Sequence, residues 1–147
     1  MNDTPPLNAL GASAHNAELY RFNQPDPKLL ETFPAPAGTW VGSTQIQIRI
    51  PEFTSLCPIT GQPDYGAIAI TYKPHFRCVE SKALKLYLMG FRNYGAFHER
   101  CVTEIFDALM QVLAPHYLRV VGEFVPRGGI QIWPERVFPP VGAGTSV

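Results

Sequence analysis

The sequence predicts an α+β domain in which an antiparallel sheet carries two helices on one face, in the order β-β-α-α-β-β. Three observations predict it. Two stretches of period-two alternation flank a turn-rich loop, two stretches at helical spacing follow, and two further strand-like runs come after those.

Taken in order, residues 1–38 hold Pro5, Pro6, Pro25, Pro27, Pro34 and Pro36 with little periodicity. They read as an arm lying over the domain or reaching a neighbouring subunit, with regular structure beginning after Gly38. Thr44, Ile46, Ile48 and Ile50 alternate with Gln45, Gln47 and Arg49, the pattern of a half-buried strand that Pro51 stops. Ile68, Ile70 and Tyr72 repeat the alternation over Gly66 to Lys73, and Pro74 ends it. Leu84, Tyr87, Leu88 and Phe91 recur at helical spacing before a break between Gly90 and Gly95. Val102, Phe106, Leu109, Met110 and Leu113 mark one face of an amphipathic helix that stops before Pro115. Tyr117 to Val125 and Ile130 to Trp133 supply the last strands, joined by a tight turn at Pro126-Arg127-Gly128-Gly129. The domain so defined spans residues 39–138, with 139–147 as a tail. Such a sheet has two unpaired edges and an uncovered face, which predicts an oligomer.

Composition narrows the function. A 147-residue chain with 46% hydrophobic residues is large enough for a globular core without metal or disulfides. Twelve basic and twelve acidic residues cancel, so nothing favours duplex nucleic acid or an anionic membrane as partner. The polar start Met1-Asn2-Asp3-Thr4 lacks the pattern of a secretory signal, and no apolar run approaches the roughly 20 residues that span a bilayer. Cys57, Cys78 and Cys101 form no C-x-x-C pair. Neither a disulfide framework nor a zinc knuckle is suggested, and a reducing cytoplasm fits.

The chemistry gathers in Ser55-Leu56-Cys57-Pro58-Ile59-Thr60-Gly61-Gln62-Pro63-Asp64, a thiol and a carboxylate in one proline- and glycine-punctuated loop. That is the minimum equipment for covalent attack on an electrophilic carbon. An ordinary thiol, with a pKa near 8.5, needs a proton acceptor or a positive local field to react at neutral pH. Asp64 has two readings, that acceptor or a turn residue bonding local amides, and the residues alone leave both open. Cys78 and Cys101 lie beside or within regular elements and read as core. In Glu80-Ser81-Lys82-Ala83-Leu84-Lys85, Ser81 is the expected N-cap of the first helix. Lys82 and Lys85 sit unfavourably beside a helix N-terminus as plain solvated cations and make sense as a phosphate site. Phe97-His98-Glu99 opens the long helix; Glu99 can accept from the polar edge of a purine-like ring and Phe97 can stack on it. Arg127-Gly128 is first a hairpin turn, second a place where guanidinium and backbone meet phosphate.

These segments, Leu56 to Asp64, Glu80 to Tyr87 and Phe97 to Glu99, resemble the short form of the QueF family of 7-cyano-7-deazaguanine reductases over roughly residues 38 to 138. The E-S-K-x-L-K element separates that family from the related cyclohydrolases, and no motif position departs from it. The resemblance implies the tunnelling fold, whose sheets assemble into a barrel. It implies reduction of a nitrile to an amine with two NADPH, in queuosine biosynthesis for tRNA modification. The substrate would be a free deazapurine, with no direct nucleic-acid contact and no metal. Cys57 would form a thioimide with the nitrile carbon and Asp64 would relay protons. Glu80, Ser81, Phe97, His98 and Glu99 would hold the deazapurine, and Lys82, Lys85, Arg127 and Gly128 the cofactor. Two competing expectations share the fold: a zinc-dependent cyclohydrolase drawing on Cys78, His98 and Cys101, and a non-catalytic ring that binds a pterin or purine.

Overall fold

A computed structural model describes residues 21–36 and 43–142. The expectations for residues 1–20 and for the tail beyond residue 142 lie outside the described residues.

The main sheet has four antiparallel strands in the order β2-β3-β5-β6: β2 (Ile46–Leu56), β3 (Pro63–Lys73), β5 (Tyr117–Phe124) and β6 (Glu135–Phe138). Helices α1 (Ser81–Met89) and α2 (His98–Leu113) pack on one face. Ile68, Ile70, Leu118 and Val120 from the sheet meet Leu84, Val102, Ile105 and Leu109 from the helices in one core. The β-β-α-α-β-β order read from the sequence is the order of the main elements. A further two-stranded sheet pairs β1 (Thr32–Pro34) with β4 (Arg77–Val79). Three-residue strands leave no periodic trace, so the alternation rule passes over both. β1 also places regular structure ahead of Gly38.

The first strand differs from expectation in a way that positions the site. Pro51 does not stop β2. The strand runs on to Leu56, with a register shift between Ile50 (opposite Ile68) and Phe53 (opposite Gly66). Two residues on β2, Pro51 and Glu52, there face one on β3, Ala67, so Pro51 sits in a bulge of an edge strand, where a missing N–H is tolerated. The extra residue reverses the phase of the pleat. Ile46, Ile48 and Ile50 face the helices before it; Phe53, Ser55 and Cys57 face the core after it. On β3, Asp64 shares the inward phase of Ile68, Ile70 and Tyr72, because that strand begins at Pro63 rather than Gly66.

The last strand also lies elsewhere. Arg127 and Ile130 exchange backbone hydrogen bonds at 3.0 Å around Gly128 and Gly129, whose φ values are 57° and 79°. The chain rejoins the sheet only where the Pro134 carbonyl accepts from the Gly122 amide. Ile130 and Trp133, read as strand residues, are exposed on this loop, and Glu135–Phe138 forms the strand instead. α2 ends as its sequence requires: Ala114 adopts φ 42° and returns its amide to the Met110 carbonyl, one residue before Pro115.

Candidate active site

The β2–β3 connection, residues 57–62, folds back on itself. The Cys57 amide donates to the Gln62 carbonyl at 2.8 Å, and the Gly61 amide donates to the Cys57 carbonyl at 2.9 Å. Gly61 takes φ 69°, a conformation that favours glycine. Cys57 therefore heads a single helical turn, and its side chain is 6% exposed. Its thiol is lowered to about 6, first by the Thr60 hydroxyl, then by the Thr60 and Ile59 amides and the Arg127 guanidinium, with burial opposing. At neutral pH the sulfur is chiefly thiolate, the nucleophilic form.

Asp64, directly opposite Ser55 in the ladder, is 3% exposed and stands between two partners. Arg127 Nε lies 3.1 Å from Oδ1 and His98 Nε2 lies 3.3 Å from Oδ2. Neither approach has hydrogen-bond geometry, and the Ser55 hydroxyl is likewise buried without a hydrogen-bond partner. His98, the first residue of α2, is held by its ring, which stacks on Phe124 with centroids 3.8 Å apart and planes at 4°. Four buried polar atoms of Ser55, Asp64 and His98 thus remain free to bond a polar guest. Asp64 lies in a strand and bonds no local amide, so its turn reading does not hold.

The structure brings together Cys57, Asp64, His98 and Arg127. Phe97 and Glu99 flank His98 at the start of α2, and both are exposed. Glu80 and its neighbours take a different place. Glu80, not Ser81, caps α1: its carboxylate accepts from the Lys82 amide at 2.9 Å, the Ala83 amide at 2.7 Å and the Ser81 hydroxyl at 3.2 Å. Burial raises the Glu80 carboxyl, but those donors outweigh it and hold the group below the usual carboxylate range. A longer side chain one position earlier reaches the free amides that Ser81 was expected to cap. Ser81 and Lys85 line a cleft of about 520 Å³ between α1 and β2, together with Arg49 and Arg92. Ile50, Leu84 and Leu88 wall the same cleft. Cations above an apolar wall fit a phosphate-bearing ligand with a flat ring. Arg127 stands at Asp64 rather than in this cleft, and Gly128 follows it on the exposed turn.

Sequence reasoning passed over Thr60, Ser55 and Phe124. Ser55 had a signal: once the bulge is known, it is a polar residue at a core position of the Phe53-Ser55-Cys57 alternation. Thr60 and Phe124 had none, being an ordinary loop hydroxyl and an ordinary apolar strand residue.

A half-covered antiparallel sheet that presents an activated thiol beside a buried carboxylate defines an α+β protein equipped for covalent attack on carbon. A family model described as QueF-like protein matches residues 63–138. An NADPH-dependent 7-cyano-7-deazaguanine reductase from Helicobacter pylori is 47% identical over 131 residues, covering 89% of this chain and 85% of that one. One from Bacteroides fragilis is 57% identical over 89 residues, 60% and 59% of the two chains. The chain belongs to the QueF family. The crystal structure of the archaeosine synthase QueF-Like in the apo form aligns with a TM-score of 0.60 over 66% of this chain and 95% of that one. At 15% identity that likeness shows the tunnelling fold alone.

Proposed function

We propose that the protein reduces 7-cyano-7-deazaguanine to 7-aminomethyl-7-deazaguanine with NADPH, through a thioimide on Cys57, in queuosine biosynthesis. The observation that carries this reading is the Cys57 thiol, lowered to about 6 a few residues from a buried carboxylate. The names of the relatives supply the substrate and the cofactor. Family membership favours this reaction over a zinc-dependent cyclohydrolase or a non-catalytic ring.

Cys57 Sγ bonds to the nitrile carbon while one C–N π bond opens, and nitrogen takes a proton from Asp64. NADPH supplies two hydrides in succession. Nitrogen and its attached carbon gain four hydrogens in all, two as hydride and two as protons, and sulfur leaves as thiolate. Asp64 acts again as acid each time nitrogen would otherwise carry negative charge. His98 Nε2, 3.3 Å from the Asp64 carboxylate, is the neighbour able to resupply it. Glu80, Ser81, Phe97, His98 and Glu99 hold the deazapurine, with Phe97 against its ring. Lys82 and Lys85 take the cofactor phosphates, whereas Arg127 is drawn to Asp64 and, with Gly128, stands apart from the Lys85 cleft. Orientation of the nitrile over sulfur supplies several kcal/mol of barrier lowering.

The same reading extends to organisation. Residues 39–138 form the reductase domain, with residues 1–38 as arm and 139–147 as tail. Several chains close their sheet edges into a ring, and the protein works in the cytoplasm without contacting tRNA. The reaction is tested by mixing protein, 7-cyano-7-deazaguanine and NADPH and following cofactor absorbance. Two NADPH consumed per nitrile, with the amine as product, is the expected result. No substrate-dependent oxidation would overturn it.

A further inference from the structure

We infer that Arg127 is a positioning residue whose guanidinium steadies the Asp64 carboxylate once its proton has left for the substrate nitrogen. This role rests on the reading of Asp64 as proton donor to the nitrile.

The two oxygens of Asp64 face different kinds of neighbour. Arg127 Nε lies 3.1 Å from Oδ1 and His98 Nε2 lies 3.3 Å from Oδ2, while the residue itself is 3% exposed. A guanidinium keeps its protons, whereas an imidazole can pass one on. Arg127 therefore contributes charge alone, and the return of a proton is left to His98. When the Asp64 O–H bond breaks and the N–H bond forms, a full negative charge stays on a group that solvent barely reaches. An unpartnered charge at that depth is strongly disfavoured, and its cost would add to the barrier of each proton transfer. A permanent cation 3.1 Å away offsets that cost, the more so where water is excluded. The approach lacks hydrogen-bond geometry, so the attraction is one of charge.

Local structure aims the guanidinium. Arg127 lies just past the end of β5, and the Val125 amide donates to the Tyr65 carbonyl at 2.9 Å, beside Asp64. The Arg127 and Ile130 amides donate to each other's carbonyls at 3.0 Å, and the Gln131 side-chain amide donates to the Phe124 carbonyl at 3.2 Å. Both limbs of the turn are thus fastened next to the carboxylate without using the Arg127 side chain. That side chain is 37% exposed, so the core does not depend on it and a small cation from solution can reach its place.

The test is a double-mutant cycle on the full chain with wild type, Arg127→Gln, Asp64→Asn and the two combined. Amine formed from 7-cyano-7-deazaguanine and NADPH is read by mass spectrometry, so that slow variants are measured. Arg127→Gln should lower kcat about tenfold or more and leave the KM for NADPH unchanged. In the Asp64→Asn background the same change should cost far less, because the charge it serves is gone. Arg127 also acts on the Cys57 sulfur, an effect that both backgrounds retain and the cycle cancels. Arg127→Lys keeps a charge and should retain more activity than Arg127→Gln. Millimolar guanidinium chloride should restore part of the Arg127→Gln rate where matched sodium chloride does not, and should leave the combined variant unchanged. Equal losses in both backgrounds overturn the role, as does a raised KM for NADPH at unchanged kcat, which would place Arg127 on the cofactor. Should Arg127→Gln lose its thermal transition, Arg127→Met removes the same charge and is read in the same way. A wild type that consumes no NADPH with the nitrile sinks the reaction itself, whereas normal wild-type turnover with equal losses sinks Arg127 alone.

Discussion

Cys57 and Cys101 are both withdrawn from solvent, at 6% and 0% exposure, yet their thiols move in opposite directions. Burial pushes Cys101 up to about 12. Its sulfur lies within the first turn of α2, 3.9 Å from the Ala96 carbonyl, an acceptor that suits a protonated thiol. Cys57 is lowered to about 6 because a hydroxyl, two amides and a guanidinium point donors at it. The two thiols differ in both respects: burial dominates at Cys101, whereas at Cys57 hydrogen-bond donors outweigh a lesser burial penalty.

The sharpest way to break that contrast is to remove each thiol. Cys57→Ala should lower turnover by about a thousandfold or more and abolish the covalent adduct. Cys101→Ala should leave both, and steady-state rates with intact-protein masses decide. A Cys101→Ala enzyme that fails to form adduct would mean that the nucleophile had been assigned to the wrong cysteine.

Next in size is the carboxylate. Asp64→Asn keeps the shape and removes the proton carrier, so turnover should fall about a hundredfold or more. Cys57 alkylation should persist, since its thiolate is held by other donors. Loss of labelling in parallel with turnover would show instead that Asp64 serves the sulfur and not the substrate.

A smaller effect tests how the site leans on the core. A Cβ at Gly122 would meet Phe124 Cε2 at 2.6 Å and Val102 Cγ2 at 2.8 Å. Gly122→Ala should destabilise the fold by about 1–3 kcal/mol in chemical denaturation, because the Phe124 ring must shift. His98 stacks on that ring, so turnover should decline as well. Full stability in Gly122→Ala would mean the two side chains give way freely.

The smallest expected change concerns the other polar grouping. Glu80→Gln should cost about 1 kcal/mol at neutral pH, since it removes the anion at the start of α1. The wild-type carboxyl titrates below its ordinary value, so its advantage is present above the usual carboxylate range and fades as pH falls through the depressed value. Melting curves of the two proteins should therefore converge in acid. A gap that persists there would point to packing rather than charge.

The same contrast explains what could be read from sequence. The nearness of Cys57 and Asp64 in the fold was legible because a short loop rich in turn residues brings its ends together, with Ser55 opposite Asp64. The core stripe of α2 was legible because helical spacing is a local property. Arg127 was not, since its place at Asp64 depends on β5 ending over the β2–β3 turn, a contact between segments far apart in sequence. Pro51 misled because a proline that ends a central strand is accommodated on an edge strand by a bulge, and edge position is a tertiary fact. Ile130 and Trp133 misled because apolar character marks strands only on average, and here it lies on an exposed loop. Glu80 and Ser81 are adjacent candidates for the same free amides, and side-chain reach chose between them.

The Leu56 amide donates to the Tyr94 carbonyl at 3.0 Å and the Ala96 amide to the Leu56 carbonyl at 3.1 Å, a parallel bridge between Leu56 and Gly95. The thiol turn and the helix bearing His98 are thereby riveted through peptide groups alone. Evolutionary drift in the side chains at these positions leaves the rivet intact, whereas proline at 56 or 96 would remove a donor and let the thiol turn and α2 come adrift.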